Sequence, residues 1–311
     1  MPYRIAERRP LGQEIKRLFD RQIVAAVTCL TGSPGAEGAN RLHDARKRIK
    51  KARALLQLAR PARPSLGDAW QECDDEMRIA NRALGPLADA ARRIETLALI
   101  RERDAASLPI ATFDLARMRM SSQAAADLER ATLNGVPARV VRLLDSVRRR
   151  ALEWNLSAVD ADAIIRAVRA SHAAARHGHR RVARRPTTSA YHRWRRLVKR
   201  ERHLFRLIDD LTGRRLKGKQ RELAALDGAL GELHDIDVLA AAIAADSPLS
   251  RHDTAQLLVV LRNHARQGRR HGDAIAAVLD EKPHALGRRL HALWGSPRRV
   301  APGEPSWRRR A

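Results

Sequence analysis

The sequence predicts an all-α protein made of two related halves. Three observations lead to this prediction: apolar residues recur at helical spacing along nearly the whole chain, aromatic residues make up only 3% of it, and a basic motif occurs twice. Alanine, leucine and arginine dominate the composition, and such a composition suits helices better than sheets. No segment shows the strict apolar–polar alternation of a half-buried strand.

Prolines, glycines and capping residues divide the chain into predicted helices. Pro61 stops the second helix, Ser65 is a candidate N-cap for the third, and Gly85-Pro86 ends that third helix. The basic, proline-rich segment 296–311 is predicted to be a disordered tail. The predicted helices cover residues 12–30, 39–60, 65–84, 87–106, 113–131, 137–154, 160–184, 188–211, 214–231, 235–245, 249–280 and 284–294.

The charge of the chain indicates a negatively charged partner. The 311 residues include 61 Lys and Arg against 35 Asp and Glu, which gives a formal net charge of +26. Self-repulsion of this size opposes compaction, so a ligand that cancels it is the simplest explanation. Nucleic acid, an anionic membrane surface and a polyphosphate chain are the candidates. The scarcity of aromatic residues disfavours proteins that read single strands by base stacking.

The cysteines and the hydropathy pattern predict a cytoplasmic protein. Cys29 and Cys73 are too few for a disulfide framework or a zinc site, so a reducing compartment is the default. Neither an apolar signal-peptide core nor a bilayer-spanning run of about 18 residues is found. We expect neither a metal site nor a cofactor.

A basic motif is repeated in the two halves of the chain. LHDARKRIKKARALLQL, residues 42–58, aligns without a gap with YHRWRRLVKRERHLFRL, residues 191–207. His43 falls on His192, which lies 149 residues later. Basic residues fall on basic residues, and apolar residues fall on apolar residues, along most of the alignment.

A second match lies downstream of each motif. ALGPLAD, residues 83–89, resembles ALGELHD, residues 229–235, at a separation of 146 residues. Two matches at nearly one offset indicate that a unit of about half the chain was duplicated, which is too long a period for a solenoid. We therefore predict a two-lobed, pseudo-symmetric protein with halves at 1–155 and 156–295.

Each motif forms an amphipathic helix with a cationic stripe. At about 100° per residue, the basic positions fall within about 80° of the histidine, while Ala45, Ile49, Ala52 and Leu56 lie opposite. We name two sets of predicted polyphosphate-binding residues, the first stripe and the second stripe. The first is His43, Arg46, Lys47, Lys50, Lys51 and Arg53, and the second is His192, Arg195, Arg196, Lys199, Arg200 and Arg202.

The stripes are better explained by a ligand than by solvation, although a single cationic helix face is often only solvated. Solvated faces normally mix signs, and like charges one turn apart cost about 0.2–0.5 kcal/mol per pair. Neither stripe contains a carboxylate. A linear phosphate chain could lie along the stripe, which is about 15 Å long, and facing lobes would line one basic groove. His43 and His192 either bind the ligand or have a structural role near the helix start.

Further charged residues are candidates with alternatives. Arg166 lies near one face of its helix with Arg169, Arg176 and Arg180, and Arg266 and Arg269 recur in a later basic helix; both sets could equally be ordinary surface. Asp235 and Asp237 could suggest metal or catalytic ligands, but no compact His and carboxylate cluster surrounds them. We expect one of them to cap a helix or to hold an arginine of the second stripe.

These residues resemble the CHAD family, the conserved histidine α-helical domain. The family pattern is a histidine that begins a helix rich in Arg and Lys, present twice, with a Leu-Gly segment ending in Asp after each copy. The second copy matches well, from His192 to Leu230-Gly231-Glu232-Leu233-His234-Asp235. The first copy departs at Leu84-Gly85-Pro86-Leu87-Ala88-Asp89, where Ala91 replaces the second Asp. The segment 281–294 is similar to the closing helix of the family.

The resemblance implies two antiparallel four-helix bundles, related by a pseudo-two-fold axis, with a basic cavity between them. It also implies binding of inorganic polyphosphate and association with polyphosphate granules. Some members carry a triphosphatase domain with alternating glutamates, and this chain has no such run. A stand-alone, non-enzymatic binder is therefore expected.

Two other functions remain open at the level of sequence. Nonspecific, nucleoid-like binding of nucleic acid would follow from net charge alone, but no helix-turn-helix, zinc-finger or aromatic RNA-reading motif is found. An enzyme acting on phosphoanhydrides would need a divalent metal, yet the repeated residues are cations.

Overall fold

The structure, a computed structural model, describes residues 3–6, 9–32, 38–60, 66–104 and 109–295, and the regular secondary structure in these residues is helical. These ranges contain eleven α-helices and one 3-10 helix, Ala276–Leu279, and no strand. None of the helices in them is long and apolar enough to cross a lipid bilayer. The α-helices are α1 Leu11–Thr31, α2 Gly38–Leu58, α3 Ala69–Ala83, α4 Gly85–Arg103, α5 Ile110–Leu133, α6 Val136–Leu152, α7 Ala161–Arg184, α8 Thr188–Leu207, α9 Lys217–Ala245, α10 Arg251–Ala274 and α11 Pro283–Leu293.

Local capping explains where several helices begin. The side chain of Asp160 accepts a hydrogen bond from the Ala163 amide at 2.7 Å, and Thr187 caps α8 in the same way. Pro86 lies in the first turn of α4, where it needs no backbone donor. The predicted cap at Ser65 and the predicted tail at 296–311 lie outside the described residues.

The prediction of two helices at 214–231 and 235–245 is wrong, because α9 is continuous from Lys217 to Ala245. Apolar residues at spacings of three and four run through Gly231, and Leu230, Leu233 and Ile236 are all buried. Their packing compensates for a glycine in a helix interior, which costs about 1 kcal/mol. Two other predicted helices, 188–211 and 249–280, extend beyond the observed ends. Helix α8 ends at Leu207, and α10 ends at Ala274 before the 3-10 helix.

The apolar faces of the two motif helices form part of the core, as predicted. Ala45, Ile49, Ala52 and Leu56 of α2 are fully buried, and so is Val198 of α8. Burial of these faces fixes the rotation of each helix about its axis. The cationic face of each helix therefore points away from the apolar core residues on its opposite side.

The order of packing brings the two motif helices together. Helix α1 packs on α2, and α7 packs on α8; α4 packs on α5, and α9 packs on α10. Contacts between the two predicted halves run through α4 with α9 and through α2 with α8 and α7. The two motif helices thus contact each other directly, beside the contact of α4 with α9.

A buried polar pair fixes α7 against α8. His172 Nδ1 lies 2.7 Å from Glu201 Oε1, and both side chains are fully buried. His172 Nε2 lies 2.7 Å from the carbonyl oxygen of Glu281, which ties the segment before α11 to the same histidine. Glu201 belongs to the helix that carries the second stripe, so this pair helps to set the orientation of that stripe.

Replacement of His172 should destabilise the protein strongly. The substitution His172→Ala leaves the Glu201 carboxyl group buried without its partner, and we expect the free energy of unfolding to fall by about 3–5 kcal/mol. Urea unfolding followed by circular dichroism measures it. His177→Ala, an exposed position on the same helix, is the control and should change it by less than about 0.5 kcal/mol. Equal effects of the two substitutions would contradict this role.

Candidate anion-binding site

Four basic side chains of α2 and α8 meet where these helices approach each other. We name Arg46, Lys50, Arg195 and Lys199 the cationic junction. The pKa of Lys50 is lowered to about 7. Burial is the largest cause, and the charges of Lys199, Arg46 and Arg195 add to it, while the charge of Asp89 opposes them. The lysine of the first stripe therefore lies within electrostatic reach of two cations from the second.

Lys199 is in a similar position on α8. Burial lowers its pKa first, and Arg195 and Arg202 add to the effect, while Asp227 and Asp235 oppose it. Among the described residues, neither Lys50 nor Lys199 forms an ion pair. These two ammonium groups therefore remain available to an anion.

The arginines of the junction are oriented by the Leu-Gly segments. Arg46 Nη1 donates to the Gly85 carbonyl at 3.2 Å and to Asp89 Oδ1 at 2.6 Å. Arg195 lies over Gly231. A Cβ atom added to Gly231 would be 3.9 Å from Nε and Nη2 of Arg195. A glycine of the repeated Leu-Gly pair thus lies under the first arginine of each stripe.

The last arginine of each stripe is held by a buried aspartate. Arg53 Nε donates to Asp74 Oδ1 at 2.8 Å, and Arg202 Nη1 donates to Asp227 Oδ2 at 2.5 Å. The two aspartate side chains are only 1% and 6% exposed. These charge-assisted bonds hold the guanidinium groups in place, which leaves less entropy to lose when a ligand binds.

The two repeated histidines have different surroundings. Burial lowers the pKa of His43, and the neighbouring charges of Arg92, Lys50 and Lys47 lower it further. His192 Nε2 lies 3.2 Å from Asp237 Oδ2, and its ring meets that of His234 edge to face. Burial, Arg195 and His192 lower the pKa of His234 to about 4, so this ring is a neutral hydrogen-bonding group at pH 7.

The carboxylates of the second Leu-Gly segment contact basic groups and cap no helix, because both lie inside α9. Asp237 Oδ1 lies 3.5 Å from Arg269 Nη2. Asp235 Oδ2 lies 3.6 Å from Arg92 Nε, and burial raises the pKa of Asp235 against the pull of Arg195 and Arg92. In the described part of the chain, no group of three His, Cys, Asp or Glu side chains is arranged to hold a metal ion.

Sequence reasoning missed Arg92 and His234. Arg92 lies on α4, contacts Asp235 of α9 and adds a cation near His43 of α2. It stands outside the repeated motif, so the alignment gave no signal for it. His234 was visible as the residue before Asp235, but only the packing of α8 on α9 places it against His192.

Four predicted stripe residues lie away from the junction. Lys47 is 58% exposed and lies 3.7 Å from Asp44, and Arg196 is exposed. Lys51 lies over the Tyr3 ring, with Nζ 5.3 Å from its centre. Arg200 points toward α7, where its Nε donates to Ser171 Oγ at 3.3 Å.

The other basic candidates are spread over the surface. Arg269 lies near the His192 end, between Asp237 and the ring of Tyr191. Arg266 donates to Asn263 within its own helix. Arg169 lies over Gly287 of α11, and the remaining two candidates on α7 are Arg176 and Arg180.

Comparison with known proteins identifies the family. The family model of the CHAD domain matches residues 31–244. The crystal structure of the CHAD domain from the plant Ricinus communis superposes with a TM-score of 0.59 at 17% identity, and covers 94% of this chain and 97% of that chain. No curated protein matches the sequence. At this identity the plant structure supports the helical fold alone, whereas the family model covers more than half of the residues, and so the chain belongs to the CHAD domain family.

Proposed function

We propose that this protein binds inorganic polyphosphate without cleaving it, through the two stripes, and that it associates with polyphosphate granules in the cytoplasm. The observation that carries the proposal is the cationic junction, where Lys50 lies near Lys199 and Arg195 without an ion pair among the described residues. Bringing like charges together is unfavourable, and a polyanion that lies across both helices would relieve the repulsion.

The proposal includes a pseudo-symmetric architecture, with two antiparallel four-helix bundles and a basic groove between them. Matched contacts support it. Arg46 with Gly85 corresponds to Arg195 with Gly231, and the aspartate pairs of Arg53 and Arg202 correspond in the same way. A groove with two similar walls suits a chain of identical phosphate units.

The chemistry of the site supports binding in preference to catalysis. The carboxylates near the junction are engaged with cations: Asp89 with Arg46, and Asp235 with Arg92. Arginine offers a planar fork to phosphate oxygens, and lysine offers a mobile point charge. Such groups stabilise a phosphate chain by charge and hydrogen bonding along its length.

Removal of the two unpaired lysines should weaken polyphosphate binding. For the double substitution Lys50→Gln and Lys199→Gln we expect an affinity loss of about tenfold to a hundredfold, and a fall in the salt slope of about 1.4–1.8. Fluorescence anisotropy with labelled long-chain polyphosphate at several salt concentrations measures both quantities.

The matched control for this variant removes the same charge elsewhere. Lys217 and Lys282 are exposed and lie outside the junction, so Lys217→Gln with Lys282→Gln should change the affinity by less than about threefold. Because burial disfavours the charged form of Lys50, the junction variant should unfold at no lower temperature than the control. Equal losses of affinity in the two variants would indicate generic attraction and contradict the proposal.

Binding should be accompanied by proton uptake. The pKa of Lys50 is about 7 in the free protein, and a polyanion bound at the cationic junction raises it toward its usual value. Affinity is then highest below pH 7 and falls as the pH rises through about 7 to 9, because the free protein increasingly lacks the protons that the complex needs. Calorimetry at pH 7.5 in two buffers with different ionisation enthalpies should give different apparent enthalpies. Identical enthalpies, or an uptake unchanged by Lys50→Gln, would show that Lys50 does not face the ligand.

A further inference from the structure

A second cationic region lies on a different side of α8 from the junction. The end of α2 and helices α7 and α8 line a half-open cavity of about 620 Å³, which is within the size range of small-molecule sites. We name it the arginine pocket. Its polar lining is Gln57, Arg60, Arg166, Ser171 and Arg200.

The arginine pocket concentrates positive charge without a counter-ion from the described residues. Burial lowers the pKa of Arg200, and the charge of Arg60 lowers it further against the opposing charge of Glu201. Glu201 is already occupied, because its carboxylate lies against His172 on the buried side of α8. Arg60, Arg166 and Arg200 form no ion pair with any described residue. The three guanidinium groups around the cavity therefore have N–H hydrogen-bond donors that are available to an oxyanion.

The floor of the pocket is apolar and flat. Ala163, Ala167, Ala170 and Ala174 recur at spacings of three and four on α7 and line the cavity, and their short side chains leave the space open. The hydroxyl of Ser171, which is only 3% exposed, anchors Arg200 beside this floor. A bare phosphate would gain little from the alanines, whereas a ligand with an apolar body would bury it there.

The position of the first motif that corresponds to Arg200 has an aromatic ring beside its basic side chain. Arg200 aligns with Lys51, and Lys51 is covered by Tyr3, whose hydroxyl donates to the Lys51 carbonyl at 2.7 Å. The Tyr3 ring lies against the Lys51 ammonium and meets His203 edge to face. An aromatic ring from the chain thus fills the space beside Lys51, while the space beside Arg200 is a cavity among the described residues.

We propose that the arginine pocket binds a small phosphorylated organic molecule of about nucleotide size. Its phosphate groups contact Arg60, Arg166 and Arg200, and its apolar or aromatic body lies on the alanine floor. This site is separate from the proposed polyphosphate site, because Arg200 faces α7 while Lys199 faces Lys50. Arg200 is thereby reassigned from the second stripe to a site of its own.

Calorimetric titration with ADP and with pyrophosphate, two probes of similar charge, tests the proposal on the full chain. We expect ADP to bind at least tenfold more tightly than pyrophosphate, because only ADP has a body for the floor. Arg166→Glu should weaken ADP binding about tenfold or more. Arg181→Glu is the matched control, since it reverses the same charge at an exposed position of α7 outside the pocket, and it should change the affinity less than twofold.

A floor variant separates the two parts of the ligand. Ala170 is exposed at the cavity edge, so Ala170→Phe should preserve the fold, block the organic body and lower ADP affinity while pyrophosphate affinity stays within about twofold. Polyphosphate affinity should be the same in Arg166→Glu and Arg181→Glu, which keeps this test independent of the stripes. Equal loss of ADP binding in those two variants would overturn the proposal. An ADP affinity no higher than the pyrophosphate affinity would also overturn it, and so would an ADP affinity that Ala170→Phe leaves unchanged.

Discussion

The proximity of Lys50 to Lys199 and Arg195 is the constraint on which the rest of the site depends. Burial of the apolar faces of α2 and α8 fixes the rotation of both helices, and packing of α2 on α8 then brings like charges together. The cost appears in the pKa of Lys50, which burial and neighbouring cations lower to about 7. Helix packing supplies the free energy that holds these like charges together. An anion that lies across both helices would relieve part of the repulsion between them. The site is therefore prepared for its ligand by the fold.

The carboxylates around the site separate two kinds of cation. Arginines at the ends of the stripes are held in place: Arg46 by Asp89, Arg53 by Asp74 and Arg202 by Asp227. Lys50 and Lys199, which lie between them, have no such partner among the described residues. This division gives fixed guanidinium forks at defined positions and flexible ammonium groups between them. An extended polyanion with some freedom of register suits such an arrangement better than a ligand of fixed shape.

The sequence was sufficient to predict the helices and the two faces of α2 and α8, because both follow from a periodicity within one segment. It was not sufficient for contacts between segments. The pairing of Arg92 with Asp235 depends on how α4 packs on α9, and nothing in the spacing of either segment encodes it. Arg200 shows a second limit. Arg200 lies at one edge of the predicted stripe and Arg202 at the other. Only the packing of the helices shows that Arg200 contacts Ser171 of α7 while Arg202 contacts Asp227 of α9. The helix predicted to end at residue 231 continues to Ala245, because burial of the apolar residues around Gly231 outweighs the cost of a glycine in a helix.

The central claim is that the two stripes act together on one extended phosphate chain instead of attracting anions generically. The most direct test measures binding of long-chain polyphosphate in competition with double-stranded DNA matched in phosphate concentration, at about 0.15 M salt, where contacts between exposed charges are screened. The account predicts that polyphosphate displaces DNA at low concentration and that DNA displaces polyphosphate poorly. Equal competition per phosphate, or a preference for DNA, would contradict it.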